Sequence, residues 1–120
     1  MNKPHDSFVD FVMEQLRLLG DVDVRRLFGG YGLYYHGVFF GIISSARLYF
    51  KTNDDTCTAY VERGMQPFRP NPRQTLKTYY EVPVEILEDE QALAVWARQA
   101  ISCQRSQIKS TSSQGQEDLP

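Results

Sequence analysis

Groups that perform chemistry are scarce in this sequence. It has two histidines, His5 and His36, and two cysteines, Cys57 and Cys103, none with a companion at metal-ligand spacing. That excludes CxxC redox motifs and zinc-finger patterns, and leaves the cysteines as free thiols of a reducing compartment. No run approaches the roughly 18 apolar residues of a membrane-spanning helix, and the N-terminus lacks the apolar stretch of a secretion signal. A basic excess is missing too: the formal net charge is −2, which weighs against a general polyanion binder. Neither nucleotide-binding glycine pattern occurs. The GGYG run at residues 29–32 is followed by Leu33-Tyr34-Tyr35, which suits a strand rather than a helix N-terminus. It therefore reads as a tight turn or bulge. These absences point to a cytoplasmic protein with no catalytic, metal-binding or cofactor-binding set.

Aromatic, β-branched and glycine residues are abundant, and they concentrate between residues 24 and 51. Such residues fit a pleated, half-buried surface. Gly29-Gly30, His36-Gly37 and Ser44-Ser45-Ala46 break the run at intervals too short for parallel crossovers. Four antiparallel strands are predicted at 24–28, 31–35, 38–43 and 47–51, with a fifth at 75–82 closed by Pro83. Strict alternation puts Phe39 and Ile43 on one face of the third strand and Phe40 and Ile42 on the other. Both faces are thus apolar, which predicts weak self-association.

Helices frame these strands. Asp6 and Ser7 are N-cap residues for a first helix whose stripe is Phe8, Phe11, Val12, Leu16 and Leu19, closed by Gly20. A second starts at Thr52-Asn53, with Asp54 and Asp55 in its first turn and Cys57, Tyr60 and Val61 buried. Residues 65–77 contain Pro67, Pro70 and Pro72, which exclude helix interior and central strand, so a loop is predicted. The last helix begins near Glu88-Asp89-Glu90 and buries Leu93, Trp96, Ala97, Ala100 and Ile101. From residue 106 the chain is polar and reads as a disordered tail after a single domain, 1–105. The order α-β-β-β-β-α-β-α describes a two-layer α+β fold: a mostly antiparallel sheet of about five strands with helices on one face.

Charge is informative by segment. Arg25, Arg26, Arg47, Lys51, Arg63, Arg69, Arg73 and Lys77 lie between residues 22 and 80, against Asp23, Asp54, Asp55 and Glu62. With interleaved tyrosines, a partner-binding surface is expected from Arg25, Arg26, Tyr31, Arg47, Lys51, Arg69, Arg73 and Tyr79. Protein binding is the first reading. Nucleic-acid binding is the alternative, although no helix-turn-helix, zinc-finger or RNP pattern supports it. A small-molecule site between helix and sheet is the third, resting on Cys57, His36 and the aromatics.

One ordered set of motifs is recognisable. RRLFGGYGLYYHGVFFGII at 25–43, LYFK at 48–51, G-x-x-PF at 64–68, YYEVP at 79–83 and a final helix with Trp96 and Ala100-Ile101 together resemble the TfoX N-terminal domain family. The resemblance runs from the first helix to about residue 105. It implies an α+β fold similar to secretion chaperones and no catalytic residues. It also implies a role in regulating bacterial DNA-uptake competence beside a transcription factor. Competence regulators of this kind carry a second, helical domain, whereas this chain resembles the N-terminal domain standing alone.

Overall fold

The computed structural model describes residues 6–27 and 29–118, with side-chain environments through residue 107. Helix α1, Ser7–Gln15, is capped by Asp6, whose Oδ1 accepts from the Phe8 and Val9 amides at 3.0 and 3.2 Å. Its backbone then tightens into a 3-10 turn, Arg17–Leu19, which Gly20 leaves at φ 99°. Val9, Val12, Leu16 and Leu19 are buried. Phe11, expected in that stripe, faces outward, beside Phe8 at 6.4 Å.

Six strands follow, close to the expected five: β1 (Val22–Leu27), β2 (Gly30–Tyr35), β3 (Val38–Ser44), β4 (Arg47–Lys51), β5 (Pro67–Asn71) and β6 (Gln74–Glu81). They form one sheet in the order β1-β2-β3-β4-β6-β5, with every neighbouring pair antiparallel. Phe28, expected to end the first strand, lies outside the described residues. The additional strand, β5, occupies the proline segment predicted as a loop. It is an edge strand, the place in a sheet where missing amide donors are tolerated. His36 and Gly37 form the β2–β3 turn with φ 49° and 81°, the left-handed pair that tight hairpins require. The β3–β4 turn makes the same demand of Ser45 and Ala46, at φ 52° and 57°, without a glycine.

Helix α2, Cys57–Glu62, starts later than the sequence suggests. The Asn53 side chain accepts from the Asp55 and Thr56 amides, both at 2.9 Å, so Asp54 and Asp55 sit in an Asx turn ahead of the helix. Tyr60 is buried, Cys57 only half so, and Val61 is exposed. A short helix α3, Val84–Leu87, leads into α4, Glu90–Asp118. Asp89 caps α4, its Oδ1 accepting from the Gln91 and Ala92 amides at 3.1 Å. The α4 backbone continues across the polar segment from residue 106, for which composition predicts disorder.

All helices that contribute to the main core lie on one side of the sheet. Leu93, Ala97, Ala100 and Ile101 of α4 are buried with Leu33, Phe40, Ile43, Leu48, Phe50 and Val82. Each large side chain of this set contributes about 1.5–3 kcal/mol by leaving water. Trp96 stands edge-on to Tyr60 at 4.7 Å, with the Arg63 guanidinium 5.2 Å from its ring.

The division of β3 between the two faces departs from strict alternation. Leu33 pairs with Gly41 and Tyr34 with Phe39, so Phe40 is the extra residue of a β-bulge. That residue shifts the phase. Phe40 and Ile43 both face the helices, while Ile42 and Phe39 share the opposite face. Gly41 accommodates the bulge, since an added Cβ would lie 3.2 Å from Leu33 Cδ1 and 3.3 Å from Phe50 Cδ1.

Two outcomes follow from these environments. Ala46→Gly relieves a left-handed alanine and, after the added unfolded-state freedom, should stabilise the fold by about 0.5–1 kcal/mol in urea titration. Burial raises the pKa values of Tyr60 and Tyr79, so the folded state favours their neutral forms. Stability from this source is complete below the unfolded tyrosine value of about 10 and is lost as pH rises above it. Alkaline unfolding followed by circular dichroism should therefore be less steep in the Tyr60→Phe/Tyr79→Phe variant.

Candidate partner-binding surface

The sheet face without helices is built from the same register. Gly32, Ile42 and Tyr49 stand side by side on β2, β3 and β4, and Tyr34 stands opposite Phe39. Gly32 is the floor of this row: a Cβ there would lie 2.9 Å from Leu27 Cδ2, 3.0 Å from Phe39 Cε1 and 3.2 Å from Tyr34 Cε1. Neighbouring strands lie roughly 4.8 Å apart, and β5 is two strands from β4. Phe68 of β5 nevertheless reaches within 4.7 Å of the Tyr49 ring, so the end of the sheet curls over its own face.

The result is a small second core of Ile42, Phe68 and Tyr79, with Phe39, Tyr49 and Leu76 packed against it. The rings form a connected chain: Tyr34 to Phe39 at 5.2 Å and Phe39 to Tyr79 at 5.6 Å. Ile42 is fully buried even though no helix covers it. Tyr34, Phe39, Tyr49 and Leu76 are half-buried, and they constitute the apolar area that remains in contact with water.

Cations surround the rings. The Arg25 guanidinium stacks 4.9 Å from the Tyr34 centroid, a favourable contact with the ring face. Arg47 donates from Nη1 to both Glu81 carboxylate oxygens, at 3.0 and 3.2 Å. Lys51, opposite Tyr79 in the register, donates to Thr78 Oγ1 at 3.0 Å and lies 5.3 Å from the Tyr79 ring. Burial holds its ammonium below the usual lysine range. Burial also raises the Tyr49 hydroxyl, with the Glu81 charge adding to the effect. At the β5–β6 turn, Arg69 donates to the Pro72 carbonyl at 3.1 Å, and the Arg73 amide donates to Asn71 Oδ1 at 2.9 Å. This turn is a stiffened, basic corner.

Of the eight residues anticipated for a partner surface, Arg25, Arg47, Lys51 and Tyr79 fall on this face, and Arg69 and Arg73 lie on the hairpin that borders it. Tyr79 and Lys51 are buried, and support the surface from beneath. Arg26 and Tyr31 are directed to the other side. They pair with each other at 5.7 Å, and Tyr31 packs against the main core. Tyr80 likewise turns to the helices, 5.9 Å from Tyr60. Sequence reasoning omitted Tyr34, Phe39, Phe68 and Leu76. The first two were detectable: they flank a two-residue turn symmetrically, which places both side chains on one face.

His36 is exposed in its turn, with its ring 4.4 Å from Tyr35. Cys57 and Cys103 are free; Cys103 is buried beside Thr56 Oγ1 at 3.5 Å. Among the described residues, no group of three or more His, Cys, Asp or Glu side chains gathers where it could hold a metal ion. No described helix is long and apolar enough to cross a membrane.

No curated protein matches the chain. The TfoX N-terminal domain family matches it over residues 14–104, from the last two residues of α1 through the buried stripe of α4. That interval includes all six strands, the second core, the bulge of β3 and all of the main core except the α1 residues before Glu14. The chain belongs to the TfoX N-terminal domain family.

Proposed function

We propose that this protein is a non-catalytic regulatory or adaptor domain that binds an acidic protein surface on the helix-free face of its sheet. The observation carrying the proposal is the half-buried aromatic row Tyr34, Phe39 and Tyr49, bordered by the exposed Arg25, Arg69 and Arg73. Aromatic anchors with an arginine rim are what a protein interface uses. The basic hairpin is held by its prolines and its own hydrogen bonds, so docking should order little additional chain. Family membership supports a regulatory role, and we place it in bacterial transcription of competence-type genes, with a transcription factor or the transcription machinery as partner. Weak self-association belongs to the same proposal and is assigned to β1, the edge strand without proline.

The test is capture of partners from bacterial lysate on the immobilised chain, with and without nuclease. A nuclease-resistant acidic protein should be retained. Arg25→Glu/Arg69→Glu/Arg73→Glu should reduce its capture about tenfold, the equivalent of roughly 1.4 kcal/mol. Capture abolished by nuclease, with affinity falling steeply as salt rises, would instead establish nucleic-acid binding. For the self-association, light scattering should show a dimer fraction that grows with concentration and shrinks when Val24→Lys charges the β1 edge.

A further inference from the structure

On the helix side of the sheet, the 3-10 turn, the end of β2 and the middle of α4 enclose a cleft of about 280 Å³. Leu19 and Ile101 form its apolar floor and Tyr35 a wall, and the α4 side contributes Arg98, Ser102 and Arg105. The four α4 residues fall at i, i+3, i+4 and i+7, one stripe of a helix. Two guanidiniums and a hydroxyl thus overlook an apolar pocket, and no carboxylate lines it.

Like Arg25, Arg26, Arg69 and Arg73, these two arginines form no ion pair among the described residues. Arg17 pairs with Glu90, Arg47 with Glu81 and Arg63 with Glu85. Among the described residues, Arg98 and Arg105 have no such carboxylate. Arg98 makes one long hydrogen bond, to the Leu18 carbonyl at 3.5 Å, from a group with five N–H donors. Arg105 lies 5.9 Å from the Tyr35 ring centroid. Guanidinium forks match carboxylate and phosphate oxygens, and an apolar floor rewards a hydrophobic body on the same molecule.

We infer that this cleft is a binding site for a small organic anion, an aromatic or aliphatic body carrying a carboxylate or phosphate. The volume is just below the usual range for drug-sized ligands, so the occupant is compact. The site is on the opposite side of the sheet from the proposed protein-binding face and stands independently of it.

Amide chemical-shift titration of the isotope-labelled full chain tests this with four probes: phenyl phosphate, benzoate, inorganic phosphate and phenol. At least one of the first two should give saturable shifts at Leu19, Tyr35 and residues 98–105. Whichever of them binds more tightly identifies the head group. Inorganic phosphate and phenol, each lacking half of the match, should bind about tenfold more weakly. Arg98→Gln/Arg105→Gln should weaken the better probe about tenfold while leaving the melting temperature and the shifts of the helix-free face unchanged. The inference is overturned if neither organic anion shifts these residues, if the shifts centre elsewhere, or if the double variant binds equally well.

Discussion

The burial of one stripe of α4 against β3 and β4 is the contact on which the rest of the molecule depends. The other helices are short: nine residues in α1, six in α2 and four in α3. Isolated helices below roughly 12–15 residues are marginal in water, and a lone hairpin fares no better. These pieces persist because they pack around a surface that α4 and the sheet create together. The small Ala97 and Ala100 are fully or almost fully buried, which lets α4 approach the rings of Phe40 and Phe50.

A single residue of β3 then determines what each face of the sheet offers. Without the bulge at Phe40, side chains four apart would share a face, and the sheet would split its large residues differently. With it, Phe40 and Ile43 complete the helix-side core, while Phe39 and Ile42 become the centre of the opposite face. The curl that brings Phe68 onto Tyr49 closes part of that face and leaves a narrow aromatic row accessible. The folding device and the candidate surface are therefore one structure, read from its two sides.

Much of this was legible from residues alone. The meander, the antiparallel pairing, the His36-Gly37 turn and the α4 stripe all follow from period and turn chemistry, because nearby residues dictate them. What escaped was set by distant contacts. The β5 strand depends on β6 to lend its hydrogen bonds to a segment whose prolines argue against a strand. The outward Phe11 is different in kind: the buried stripe runs through Val9, Val12 and Leu16 at i, i+3 and i+7, which puts residue 11 on the far side of α1. The bulge of β3 is visible only when Leu33 and Tyr34 are paired with their partners. For the candidate surface, charge density located Arg25, Arg47 and Lys51, but residue type alone could not say that Arg26 and Tyr31 belong to the other face.

The two edges of the sheet differ in kind. On β5, Pro67 and Pro70 remove two amide donors, so that edge is a poor template for another strand. On β1, every residue from Val22 to Leu27 keeps its donor, and four of the six are exposed. In polymer terms such a domain has one reactive end. If β1 paired with β1 about a two-fold axis, each copy would consume its single open edge and both remaining ends would be capped. Lateral growth would then terminate after one step, and a domain so rich in strand-forming aromatic sequence would not become the repeat of a fibre.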